Sequence, residues 1–197
     1  ATGALLRALR HLAWGRLDPG DVEAIWMHRP MQDDVRRREH VLSLASAALE
    51  DGSAAFSRAR PATELYAALR HEHMRLRREL LLPEEPKVSS GPLLREGMTD
   101  PRVPALRARL GRLSPEVGAG WADPELYTPA LVAAVKAFQR SHGLENDGIV
   151  GPDTLEALNR SRQERLDQVR VNLERLRWMA ALMQTDLVQV DLAGGAV

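Results

Sequence analysis

The sequence predicts an all-α protein, a helical array followed by a compact three-helix domain. Three observations carry this expectation. Apolar residues recur at helical spacing through most of the chain. Aromatic residues are only 4% of the 197, while Ala, Leu, Arg and Glu abound, which favours helix over strand. Breaks rich in Gly and Pro, several with a capping residue followed by proline, cut the pattern into short units.

In chain order, Ala4–Trp14 places Leu5, Leu6, Leu9 and Leu12 on one helical face, and Gly15 can end it. Asp18-Pro19 reads as a cap with proline at the first helical position, with Val22, Ile25 and Trp26 as the face to bury. His28-Arg29-Pro30 breaks that helix. Val35–Leu49 repeats the pattern with Val41, Leu42, Leu44, Ala45, Ala48 and Leu49, ending at Asp51-Gly52. Ser53–Ser57 makes a short helical turn. Pro61 then starts a helix with Leu65, Tyr66, Leu69, His73, Leu76 and Leu80 on one face. Residues 1–82 are therefore expected to form a bundle-like first domain.

The stretch 82–92, with Pro83, Pro86, Pro92, Ser89, Ser90 and Gly91, reads as a linker. Three short helices follow over 92–160. Asp100-Pro101 opens the first, with Val103, Leu106 and Leu110 as its stripe; Thr128-Pro129 opens the second, with Leu131, Val132, Val135 and Phe138 inward and Gly143 at its end. Gly151-Pro152-Asp153 opens the third, with Leu155 and Leu158 inward. Residues 161–183 read as a long linking helix with Leu166, Val169, Leu173, Leu176 and Met179 as its stripe. Leu187–Leu192 alternates with period two, so 186–197 reads as the start of a β-domain that the chain does not continue.

Composition excludes several functions. Lys+Arg and Asp+Glu are both 27, and this zero balance argues against nucleic acid as the main partner. The chain has no cysteine, so it holds no disulfide, thiolate metal site or Cys nucleophile. No run approaches the roughly 20 apolar residues that span a bilayer. No signal peptide is expected either, because Arg7 and Arg10 interrupt the apolar run at the N-terminus. His71-Glu72-His73 lacks the i, i+4 histidine spacing of a helical zinc motif, so no metal and no cofactor is expected. Arg36-Arg37-Arg38 reads as a solvated face.

The densest motif is Asp147-Gly148-Ile149-Val150-Gly151-Pro152-Asp153-Thr154. As structure it is a turn, with glycine at positive φ and an aspartate bonding nearby backbone N–H groups. As function it offers Asp147, Gly148 and Thr154 to a ligand, with Gln139, Arg140 and His142 at the end of the preceding helix as donors. Trp121 and Tyr127, in the 114–126 loop and beside it, are candidates for stacking on a sugar ring; packing beneath that loop is their other reading. No residue is assigned a catalytic role.

Asp100–Arg107 and Ala130–Asn159, above all Val135–Leu144 and Asp147–Leu155, resemble the peptidoglycan-binding-like domain of bacterial wall enzymes. Asn172-Leu173-Glu174-Arg175-Leu176-Arg177-Trp178 resembles the helix that leads into the catalytic domain of the large, scaffold-containing L,D-transpeptidases. Residues 1–80, with Gly15-Arg16-Leu17-Asp18-Pro19 and Trp26, are similar to their scaffold domain. The resemblance implies a periplasmic enzyme that crosslinks peptidoglycan through a Cys nucleophile with a nearby His. This chain departs from it in having no Cys and no His-Gly-Cys motif after Trp178. The expectation is a truncated, non-catalytic region that binds or orients on the glycan or stem peptide of peptidoglycan. The alternative is a purely structural module, or one that docks other cell-wall synthesis proteins.

Overall fold

The computed structural model describes residues 2–22, 34–111, 117 and 123–180. The fold is all-α, as the sequence predicts. The helices are α1 (Thr2–Trp14), α2 (Pro19–Val22), α3 (Asp34–Glu50), α4 (Gly52–Arg58), α5 (Glu64–Glu79), α6 (Val103–Leu110), α7 (Pro129–Ser141), α8 (Pro152–Asn159) and α9 (Arg162–Met179). The β features among the described residues are two isolated antiparallel bridges, Leu94–Val150 and Thr99–Leu126. Ile25, Trp26, Trp121 and the strand read over Leu187–Leu192 lie outside the described residues. No helix among the described residues is long and apolar enough to cross a membrane.

Two compact units emerge. Described residues up to Arg77, together with those from Leu166 onward, form the first; Arg78–Arg165 forms the second. The first unit has two apolar clusters. Leu9, Val41, Leu44 and Ala59 form one, with Leu5, Leu6, Leu12, Trp14, Ala45 and Phe56 packed against it. Tyr66 and Leu76 of α5 form the other with Leu166, Val169, Leu173 and Leu176 of α9. The apolar stripe read on α9 thus becomes part of a core.

Helical phase explains where the expected faces narrow. Val41 and Leu44 are buried, but Leu42 is 51% and Leu49 85% exposed, each on the flank of the stripe rather than in it. Leu65 beside Tyr66, and Val22 and Leu80 at helix ends, are likewise exposed. Asp51 does more than end α3. Its backbone is extended (φ −142°, ψ 98°), and its carboxylate accepts the Ala54 N–H at 3.0 Å, capping α4.

A buried carboxylate locks the turn after α1. Glu174 of α9 accepts the backbone N–H groups of Arg16 and Leu17, the latter at 3.0 Å. Its other oxygen takes Arg177 at 2.8 Å, and the Arg177 Nε–H donates to the Tyr66 hydroxyl at 3.0 Å. Gly15 sits at φ +93°, and a Cβ there would lie 2.6 Å from both the Glu174 carboxylate and the Trp178 indole nitrogen. Only glycine meets both demands.

In the second unit, α6, α7 and α8 close on Val103, Leu106, Leu110, Leu131, Val135, Phe138 and Leu158. The Pro-rich stretch read as a linker is strapped onto this core. Val88 is 1% exposed, and its peptide N–H and C=O both bond the Asn159 carboxamide, at 2.9 and 2.8 Å. The Arg109 guanidinium donates to the carbonyls of Pro86, Leu158 and Glu85. Arg162 holds the start of the stretch: it donates to the carbonyls of Glu79 and Leu82 at 2.8 Å each and Pro83 at 3.0 Å, and pairs with both Glu85 oxygens at 2.8 and 2.9 Å.

The planar fork of Arg162 reaches acceptors in several directions, which a lysine ammonium cannot match. Arg162→Lys should destabilise the protein by about 2 kcal/mol and Arg162→Ala by about 3 kcal/mol in urea unfolding. A lysine variant as stable as the wild type would mean that charge, not the fork, holds the strap.

Candidate functional site

Thr128 caps α7 from an extended backbone (ψ 160°), its hydroxyl accepting the Leu131 N–H at 3.4 Å, with Pro129 at the first helical position. This start sets the phase of α7, so that Leu131, Val135 and Phe138 enter the core and Gln139 points beside them. Gln139 is 1% exposed. Its carboxamide organises the motif that follows. The oxygen accepts the Gly148 N–H at 2.8 Å. The nitrogen lies 2.8 Å from an Asp147 carboxylate oxygen, 3.0 Å from the Ile149 carbonyl and 3.2 Å from the Thr154 hydroxyl. Two amide hydrogens serve those three acceptors, so one of them is shared.

The turn has further anchors. The same Asp147 oxygen accepts the Ile149 N–H at 2.8 Å, an Asx turn. The Tyr127 hydroxyl donates to the Gly148 carbonyl at 2.8 Å. Gly148 is at φ +78°, and a Cβ there would meet Val132 at 2.8 Å. Leu94 and Val150 exchange backbone hydrogen bonds of 3.2 and 3.1 Å, tying the turn to the segment before α6.

Charge follows from these bonds. The Ile149 N–H, helped by the Gln139 amide and Lys136, holds the Asp147 carboxyl below its ordinary range. Burial pushes the Tyr127 phenol well up, aided by the carboxylates of Asp147 and Glu96, so it remains a donor. Asp100 is also held low, first by its side-chain bond to Arg102. Its carboxylate accepts the Arg102 N–H at 2.9 Å, while α6 itself starts at Val103.

Around the turn is a shallow cleft of about 230 Å³. Leu93, Leu144, Ile149 and Pro152 supply apolar wall, and Glu145, Asp147 and Asp153 supply carboxylates. Gln139 and Thr154 form its floor. The arrangement suits an extended ligand that carries apolar surface and donor groups, and its described lining presents no activated nucleophile.

The candidate residues separate accordingly. Gln139, Asp147, Gly148 and Thr154 come together, with Asp147 exposed and the other three buried. Tyr127 is fully buried, so its ring is core and not a stacking platform. His142 caps the end of α7: its ring stacks on Phe138 with centroids 3.9 Å apart, and its Nδ1 lies 2.9 Å from the Phe138 carbonyl oxygen. Arg140 is exposed at that helix end, and neither it nor His142 lines the cleft. Trp121 lies outside the described residues. The lining residues that sequence reasoning missed, Leu93, Leu144 and Glu145, flank the turn motif or reach it through the Leu94–Val150 bridge, while Ile149, Gly151, Pro152 and Asp153 lie within that motif. Among the described residues, no three His, Cys, Asp or Glu side chains gather to hold a metal ion.

Comparison with known families agrees with this division. Residues 99–158 match the family described as "Putative peptidoglycan binding domain", and residues 1–72 match the family described as "Scaffold domain". No curated protein matches the chain. The first match spans the turn and every cleft-lining residue except Leu93, and the second falls within the first unit.

Two glycines allow a controlled test of the turn. At Gly97 (φ +80°) an added Cβ would meet nothing within 4 Å. Gly97→Ala should therefore cost only the left-handed backbone strain, about 1 kcal/mol. Gly148→Ala adds the collision with Val132 and should cost at least twice as much; equal losses in urea unfolding would refute the close approach. Asp147 has a folded pKa below its unfolded one. Its contribution is therefore complete above about pH 4 and fades as pH falls through the folded value. Asp147→Asn should flatten the acid limb of a thermal-melting profile below about pH 4.

Proposed function

We propose that this chain is the peptidoglycan-recognising and scaffolding part of a cell-wall crosslinking enzyme of the L,D-transpeptidase type, working in the bacterial periplasm. The observation that carries the reading is the pairing, in one chain, of a scaffold domain over 1–72 with a peptidoglycan-binding domain over 99–158. The resemblance of Asn172–Trp178 to the helix preceding an L,D-transpeptidase catalytic domain supports the finer assignment. Recognition is the work of these residues: none is a cysteine, and the cleft beside Asp147–Thr154 offers a wall and polar groups rather than a nucleophile. A glycan or stem-peptide segment lies along Leu93, Ile149 and Pro152, with its N–H or amine groups toward the carboxylates.

One observation favours a second reading. The buried polar atoms of Gln139 and Thr154 are bonded within the turn itself, so the motif is complete without a ligand. On that reading the domain is a support for its parent enzyme, or a surface for other cell-wall synthesis proteins.

Co-sedimentation with purified peptidoglycan sacculi separates the two. Because Gln139 and Asp147 build the turn, the informative variant changes exposed lining instead: Leu93→Asp with Glu145→Lys. The wild type should pellet, and the double variant, folded by circular dichroism, should bind at least about tenfold more weakly, or about 1.4 kcal/mol. A wild type that stays in the supernatant would leave the domain as a support.

A further inference from the structure

The first unit concentrates positive charge in one groove. α1 contains Arg7, Arg10 and His11 and no acidic residue. Across from it, α3 carries Arg37 and Arg38. These four arginines line a groove of about 380 Å³ whose other walls are Leu6, Trp14, Val41 and Leu42, with no carboxylate among the described lining residues. In a chain of zero net charge, four of the eight described lining residues are arginines.

The apolar part of the groove is partly open to water. Leu42 is 51% exposed, and Leu6 and Trp14 are half-buried. The Arg37 guanidinium lies 5.9 Å from the Trp14 ring centroid, which orients charge and ring at the same edge. Arginine heads around an apolar floor, with a tryptophan at the rim, are the chemistry of a surface that meets lipid headgroups and the first acyl carbons together. A soluble polyanion would satisfy the cations and leave Leu42 in water.

We propose that the α1–α3 groove docks on an anionic phospholipid bilayer, with lipid phosphates between Arg7, Arg10, Arg37 and Arg38 and acyl carbons against Leu6, Trp14 and Leu42. The contact is peripheral, and it is independent of the peptidoglycan reading because it uses the other unit. It would hold the chain against a membrane whichever way the sacculus test falls.

The test is flotation of the full chain at low salt with vesicles of phosphatidylcholine alone, or mixed equally with phosphatidylglycerol. The chain should float with the mixed vesicles and not with the neutral ones. Arg7→Ser with Arg38→Ser should weaken binding about thirtyfold, since each basic group near an anionic leaflet contributes about fivefold. Leu42→Asp should weaken it independently of the charge count. Removing two arginines elsewhere on the same unit, Arg75→Ser with Arg170→Ser, should have a smaller effect, and thermal melting shows which variants keep their fold. Equal binding to neutral vesicles, equal loss in both arginine pairs, or full competition by millimolar inorganic phosphate would each overturn the proposal.

Discussion

The Gln139 carboxamide determines the shape of the candidate site. It replaces with one side chain the hydrogen bonds that the turn at Asp147–Ile149 cannot make to itself. Its oxygen holds the Gly148 N–H and its nitrogen spans Asp147, Ile149 and Thr154. Leaving the buried Gly148 N–H unpaired would cost about 1–3 kcal/mol. The cleft therefore has a rigid floor with an exposed rim, where Leu93, Glu145 and Asp153 can vary without disturbing the frame.

The scaffold unit uses the same device with charge. Glu174 does for the Gly15–Leu17 turn what Gln139 does for the Asp147 turn, by accepting successive backbone N–H groups. Burying a carboxylate is tolerable here because Arg177 sits 2.8 Å away and is itself held by Tyr66. The turn at Gly15–Leu17 and the end of α9 thus meet through Glu174 and Trp178.

Much of this is legible in the sequence because helical phase and capping are local. Thr128-Pro129 and Gly151-Pro152 place the starts of α7 and α8, and the stripes at Val103, Leu106 and Leu110 and along α9 name core residues. The Asp147-Gly148 turn is readable from residue chemistry. What is not legible depends on partners far along the chain. Pro and Ser between 82 and 92 suggest a free linker, and nothing nearby says that Asn159, Arg109 and Arg162 will bind it down. Leu42 and Leu49 fit a helical face by hydrophobicity, yet neighbouring positions differ by about 100° and only Val41 and Leu44 point inward. Tyr127 has the sequence setting of a loop aromatic, whereas its hydroxyl reaches inward to the Gly148 carbonyl.

The Glu174 contact also fixes an order of assembly. It joins residues 158 positions apart, and the α5 cluster is completed only by Leu166, Val169, Leu173 and Leu176. The ribosome delivers those residues after the whole of Arg78–Arg165, the continuous second unit. The later-numbered domain can therefore close while its predecessor still lacks part of its core, reversing the usual sequence in which chains fold from the N-terminus as they emerge. During that interval Tyr66 and Leu76 have no α9 to cover them, so part of the first unit's apolar surface faces water.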